Sequence, residues 1–221
     1  MSIKNIPPQP EQSSSDAPVH VPVLLEATLE RLAPSPGESY LDLTAGYGGH
    51  ARAVLKKTEN YDDATLVDRD AFAIETLGDV ARKGVQLLHT DFVSAAKQLV
   101  SDGRTYDMIL ADLGVSSPQL DRAERGFSFR LDGPLDMRMD QSAGRTAAEL
   151  LTEEDEAEIR RILYAYGEEK FAPRIAREIV RRRESSPLTR TSELVDVVRS
   201  SIPAAARRTG GNPAKRTFQA L

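Results

Sequence analysis

Between residues 40 and 111, short continuous apolar runs alternate with stretches whose apolar positions recur at helical spacing. The runs at 40–43, 64–67, 85–89 and 108–111 read as buried strands, and the stretches at 51–57, 72–81 and 94–100 read as helices. A short helix over 26–32 comes first, stopped by Pro34-Ser-Pro-Gly37. This alternation predicts an α/β fold: a mostly parallel sheet with helices packed on its faces. Beyond Gln119 no further strand-like run occurs, and the chain reads as a long loop followed by helices. Thr152-Glu-Glu-Asp155 has the form of a capping box opening a helix that runs to about Tyr166, with Gly167 placed to end it. Over 171–183, Phe171, Ile175 and Ile179 with neighbouring Ala172, Ala176 and Val180 form one apolar stripe opposite Arg174, Arg177 and Arg181. A third helix is expected over 192–201, capped by Thr191.

Composition narrows the chemistry. The 221 residues contain no cysteine, which excludes disulfides, thiolate nucleophiles and sulfur-ligated zinc. His20, His50 and His89 lie far apart, so no metal site is expected. No apolar run is long enough to span a membrane and no secretory pattern opens the chain, so a cytoplasmic location is the default expectation. Residues 1–18, rich in proline and serine, read as a disordered leader. The net charge of −5 is unevenly spread: 170–221 holds 12 basic and 4 acidic residues, which suits a polyanion such as nucleic acid or makes an ordinary solvated face.

The candidate chemistry sits where strands end. After the first strand comes Asp42-Leu-Thr-Ala-Gly46-Tyr-Gly48-Gly49-His50, a glycine turn that lets a ligand approach the backbone before a helix begins. Asp68 ends the second strand, 22 residues after Gly46, where an acid can accept both hydroxyls of a ribose. Asp70 is better placed to cap the helix that follows. Asp91 and Phe92 follow the third strand and offer a carboxylate for an exocyclic amine and a ring for an adenine face. Asp112 leaves the fourth strand ahead of Gly114 and the Ser116-Ser117-Pro118 elbow. Four strand ends each carrying a suitable group predict one nucleoside-cofactor site. A nicotinamide cofactor would use a similar glycine turn and ribose acid, but its G-x-G-x-x-G fingerprint lacks its last glycine here, where Ala51 stands. Asp42 before the turn suits the cationic end of S-adenosylmethionine better.

Several segments carry a family resemblance: His20-Val-Pro-Val-Leu-Leu25, the run from Asp42 to His50, Asp68-Arg-Asp70, the long stretch from Asp112 to Asp140, Tyr166-Gly-Glu-Glu-Lys-Phe171 and Asn212-Pro-Ala-Lys-Arg-Thr-Phe-Gln-Ala-Leu221. Together they resemble the bacterial ribosomal RNA small subunit methyltransferase H family. The resemblance implies a class I, Rossmann-like methyltransferase with an inserted helical domain, moving a methyl group from S-adenosylmethionine to the N4 amine of a cytidine in small-subunit ribosomal RNA. It implies cofactor contacts by Gly48, Gly49, His50, Asp68, Phe92, Asp112 and Gln119; the role of Gln119 comes from the resemblance alone. It also implies a division into a cofactor domain at 19–120, an active-site loop at 121–141, an RNA-recognising helical insert at 142–211 and the start of a return to the first domain at 212–221. Relatives in that family continue with further sheet strands, so a fragment with an exposed apolar sheet edge and impaired activity is expected.

For such a transfer the enzyme supplies alignment and electrostatics. Candidate acceptors for the amine hydrogens are Asp112 and the backbone carbonyls around Ser116, Ser117 and Pro118. Arg125, Phe127, Phe129, Arg130 and Arg138 combine rings and cations suited to an extruded base, or else pack as a loop on the helical insert. The alternative function is a non-catalytic RNA-binding or assembly module that keeps the cofactor fold.

Overall fold

The computed structural model describes residues 22–207 and 211–221; the expected leader and the beginning of the His20 motif lie outside them. Helix α1 (Leu25–Leu32) leads into β1 (Tyr40–Asp42), and α2 (Gly49–Thr58), β2 (Ala64–Asp68), α3 (Ala71–Thr76), α4 (Gly78–Ala81), β3 (Gln86–His89), α5 (Phe92–Ser101), β4 (Met108–Leu110) and α6 (Ser117–Asp121) follow. The four strands form one parallel sheet in the order β3-β2-β1-β4. Alternation along the strands decides which helix covers which face. Tyr40, Ala64 and Leu66 pack with Val54, Leu55, Leu77 and Val80 from α2 to α4. Leu41 and Val67 point the other way, onto Ala95 and Leu99 of α5. The connections therefore reverse direction between β1 and β4, and the crevice outside the strand ends at that point is where open α/β sheets hold ligands.

The helix expected over 72–81 is broken. Gly78, a poor helix former, starts a separate turn, and the break turns Leu77 fully into the core. The outer edge of β4 pairs with no strand among the described residues, and Ile109 there is 56% exposed.

The remaining elements are α7 (Ala147–Glu153), α8 (Glu156–Gly167), α9 (Ala172–Arg183), α10 (Thr191–Ser201), α11 (Ala204–Arg207) and α12 (Lys215–Ala220). Leu151, Ile159, Leu163, Ile175, Ile179, Leu194, Val198 and Phe218 share a separate apolar cluster. The stripe expected on α9 is the buried one: Ala172, Ile175, Ala176 and Ile179. Three expected caps are corrected. Thr152 lies inside α7, whose capping box is Thr146 and Glu149, while Asp155 caps α8 by accepting from the Glu158 amide at 2.8 Å. Gly167 is the last residue of α8, and the left-handed position falls to Glu168, with φ of 49°. A Cβ on Gly167 would collide with the Arg216 carbonyl oxygen, so glycine is needed there to let α12 cross closely. Thr191 opens α10 from inside; its hydroxyl accepts from the Gly133 amide at 3.0 Å and donates to the Leu131 carbonyl at 2.9 Å, clasping the loop instead of capping the helix. Glu193 supplies the cap by accepting from the Arg190 amide at 3.0 Å.

Among the described residues no helix is long and apolar enough to cross a membrane.

Candidate cofactor site at the strand ends

The glycine turn is pinned from below. The Ala45 amide donates to the Val67 carbonyl at 2.9 Å and the Gly46 amide to Asp68 Oδ2 at 2.8 Å, so the turn folds over the end of β2. Gly48 stands just before α2 with φ of 81°, and a Cβ there would approach Leu77 Cδ2 to 2.5 Å. Both facts demand glycine. His50 and Tyr47 flank the turn, and His50 Nε2 and Tyr47 Oη are buried polar atoms with no partner among the described residues. Such atoms are costly to leave unpaired.

Asp68 Oδ1 also accepts from the Asp70 amide at 2.8 Å. Each carboxylate oxygen thus takes one backbone amide and keeps room for another donor. Asp42 is 1% exposed, accepting from the Tyr40 hydroxyl at 2.9 Å and the Thr44 amide at 3.0 Å. Burial pushes its carboxyl up to about 6; the bonds from Thr44 and Tyr40 pull the other way, and the negative charges of Asp68 and Asp112 add to the rise. Thr44 joins two strand ends, because its Oγ1 accepts from the Asp112 amide at 2.7 Å. The Asp112 carboxylate itself is exposed. Asp42, Asp68 and Asp112 are therefore brought together at the C-terminal ends of three neighbouring strands, as the spacing predicts.

The other expected groups are arranged less simply. Asp91 caps α5, accepting from the Val93 and Ser94 amides at 3.0 Å each, with its other oxygen bonded to the Ser94 hydroxyl at 2.6 Å. Phe92 presents a ring that is 43% exposed. Gln119 is buried at 6% exposure, and both ends of its amide are engaged: Oε1 accepts from the Ser116 amide at 3.0 Å and Nε2 donates to Asp70 Oδ2 at 3.0 Å. Ser117 and Pro118 form the first turn of α6, with Ser116 and Gln119 as its capping box. No group of three or more potential metal ligands clusters among the described residues.

This donor set fits S-adenosylmethionine. With the cofactor bound there, its diol would reach the free capacity of Asp68, its ring would lie on Phe92 and its cationic end would face Asp42 and Asp112, beside a turn kept free of side chains and flanked by the His50 and Tyr47 polar atoms.

Two readings of the loop from 122 to 140 stood open, and Phe129 follows the one that packs it on the helical part. Phe127 is 8% exposed, Phe129 packs edge-on against Phe218 at 5.9 Å between ring centres, and Arg138 is ion-paired with Asp136 at 2.9 Å. Of the five, Phe129 packs on the helical cluster, Phe127 is buried, Arg125 and Arg138 are ion-paired, and only Arg130 is exposed. What the sequence reading missed is Asp70. It caps α3 as expected, accepting from the Phe72 amide at 3.1 Å, and it is also ion-paired with buried Arg125 at 2.8 Å. The 55 residues between the two leave no local pattern to detect.

Residues 17–221 match the model of the MraW methylase family. The chain belongs to that family. Similar members include three proteins named ribosomal RNA small subunit methyltransferase H. The one from Heliobacterium modesticaldum is 51% identical over 207 residues, covering 91% of this chain and 66% of the relative. That from Lactobacillus delbrueckii subsp. bulgaricus is 46% identical, covering 91% and 67%. That from Beutenbergia cavernae is 50% identical, covering 93% and 63%. This MraW-family chain thus spans about two thirds of the length of these relatives. Its parallel sheet with flanking helices is of the Rossmann-like kind the family resemblance implied.

Proposed function

We propose that this chain binds S-adenosylmethionine across its strand ends and acts in N4-methylation of a cytidine in small-subunit ribosomal RNA. The observation that carries the reading is the meeting of Asp42, Asp68 and Asp112 at adjacent strand ends, linked through Thr44 and the Gly46 amide, in a chain of the MraW family. Asp68 takes the ribose hydroxyls; Gly46, Gly48, Gly49 and His50 form the wall beside them; Asp91 and Phe92 serve the adenine; Asp42 faces the cationic end; Asp112 and Gln119 flank the reactive end. The bound cofactor supplies an electrophilic methyl group on a sulfonium. The chain's own task is alignment and charge. The lone pair of a cytidine N4 is delocalised into the ring, so acceptors that hold the amine hydrogens localise it. The exposed Asp112 carboxylate and the carbonyls around Ser116, Ser117 and Pro118 are the proposed hydrogen-bond acceptors, with Asp112 the proposed acceptor of the proton the amine loses.

RNA contact falls to the helical part, with 121–141 as the loop between the two units. Several arginines there are spent internally: Arg181 pairs with Glu178 at 2.5 Å and Arg190 with Asp132 at 2.6 Å. Lys170, Arg174 and Lys215 are exposed and form no ion pair among the described residues, and they are the proposed phosphate contacts. A protein that modifies ribosomal subunits would work in the cytoplasm, which is the proposed location.

The test is transfer of labelled methyl from S-adenosylmethionine to small ribosomal subunits, followed by nucleoside analysis. N4-methylated cytidine supports the reading. Cofactor binding without transfer would instead support the non-catalytic RNA-binding module, which the names of the relatives do not favour.

A further inference from the structure

Two residues beyond the acid at the end of β2, Asp70 is buried at 3% exposure, and one of its oxygens carries two side-chain bonds. Oδ2 accepts from Gln119 Nε2 at 3.0 Å and from the Arg125 guanidinium at 2.8 Å. Each partner passes the contact on. Gln119 Oε1 holds the Ser116 amide at 3.0 Å, at the start of the Ser116-Ser117-Pro118 elbow. Arg125 donates its second terminal nitrogen to the Met139 carbonyl at 2.8 Å and the Arg138 carbonyl at 3.2 Å, at the far end of the loop. On the other side, the Asp70 amide donates to Asp68 Oδ1 at 2.8 Å, and Asp68 Oδ2 holds the Gly46 amide at 2.8 Å. A continuous chain of hydrogen bonds therefore runs from the glycine turn, through Asp68 and Asp70, to both ends of the segment that leaves β4.

That segment is held to the helical part by backbone bonds from 133–136 to Thr189, Thr191, Ala147 and Ala148. Its only helical turn between α6 and α7 among the described residues is the 3-10 turn Ala123–Arg125, and the bonds through Asp70 tie that end of it toward the sheet. The Asp70–Arg125 pair is buried on both sides, 4% and 5% exposed. Removing one partner leaves the other buried without its counter-charge, which is costly.

We propose that Asp70 is a positioning residue: acting through Arg125 and Gln119, it seats the 112–140 segment, and with it Asp112 and the serine elbow, against the cofactor site. The proposal rests on the methyltransferase reading for its functional meaning, while the latch itself is a property of the ligand-free chain. It assigns Gln119 a second task, because its amide serves the elbow and the hub before any ligand is present.

The test compares the 221-residue chain with Asp70→Asn, Arg125→Met and Arg125→Lys by amide hydrogen exchange, cofactor titration and methyl-transfer kinetics. In the ligand-free Asp70→Asn and Arg125→Met chains, exchange in peptides spanning 113–121 and 135–140 is expected to rise at least tenfold while β1 and β2 keep their protection. Arg125→Lys should recover part of that protection. The turnover number should fall at least tenfold and S-adenosylmethionine affinity by a clearly smaller factor, since Gln119 and Asp112 also face the cofactor, a split that general loss of stability would not produce. Unchanged loop exchange in both Asp70→Asn and Arg125→Met overturns the latch, as does equal loss of protection in loop and sheet. An affinity loss that matches the turnover loss overturns the positioning role. Failure of the unsubstituted chain to bind S-adenosylmethionine would sink the methyltransferase reading separately, with the ligand-free exchange still deciding the latch. If Asp70→Asn does not fold, the two Arg125 variants carry the same comparison.

Discussion

Replacing Asp42 by asparagine should make the protein more stable at neutral pH and a poorer cofactor binder. Asp42 is 1% exposed in the middle strand, and burial raises its carboxyl from 3.8 to about 6. A group whose folded value lies above its unfolded value binds its proton more tightly in the folded protein. Its contribution is therefore full below the unfolded value and disappears as pH rises through the folded one. A rise of that size, at roughly 1.4 kcal/mol for each pH unit, corresponds to about 3 kcal/mol by pH 8. Asparagine has the shape of the neutral acid, can still accept from the Thr44 amide and can donate to the Tyr40 oxygen, so it avoids that cost. Urea unfolding followed by circular dichroism should show little difference between the two chains near pH 4, and an advantage of about 2 to 3 kcal/mol for Asp42→Asn at pH 8. An advantage of the same size at both pH values, or none at pH 8, would refute the burial argument. In the same variant S-adenosylmethionine binding should weaken, whereas in the unsubstituted chain it should tighten as pH rises through about 6 and Asp42 ionises.

Gly167→Ala forces a methyl group against the Arg216 carbonyl and Ala220, so a loss of about 1 to 3 kcal/mol in urea unfolding is expected, with increased proteolysis at α12. Thr191→Val leaves the Gly133 amide and Leu131 carbonyl unpaired and should cost about 1 to 3 kcal/mol in the same assay. Arg174→Ala and Lys215→Ala should each lower the slope of log affinity against log salt for ribosomal RNA by about 1, while leaving S-adenosylmethionine titrations unchanged.

The sheet was legible because four short, mainly apolar runs alternate with helical spacing, even though Asp42, Thr65 and Gln86 fall within them. The ends of those strands were legible for the same reason, since an acid directly after a run such as Thr65-Leu-Val67 has only one place to go. Caps were harder. Thr152-Glu-Glu-Asp155 and Thr146-Ala-Ala-Glu149 satisfy the same local pattern, and the packing of Leu151 into the helical cluster selects the second by placing Thr152 inside α7. The direction of a loop side chain was not legible at all. Arg125 and Arg130 look alike in sequence, yet one is buried on Asp70 and the other is exposed, because only the first meets a buried carboxylate brought from another strand. Gly167 shows the same limit: its need for glycine is set by the backbone of residue 216, far along the chain.

The most direct measurement is calorimetric titration of the chain with S-adenosylmethionine, beside an Asp68→Ala variant whose far-ultraviolet spectrum matches. One saturable site, weakened about tenfold or more by the substitution, a loss of about 1.4 kcal/mol or more, is the expected result. A folded chain that binds no S-adenosylmethionine, or binds it equally well without Asp68, would contradict the assignment of the strand ends as its site.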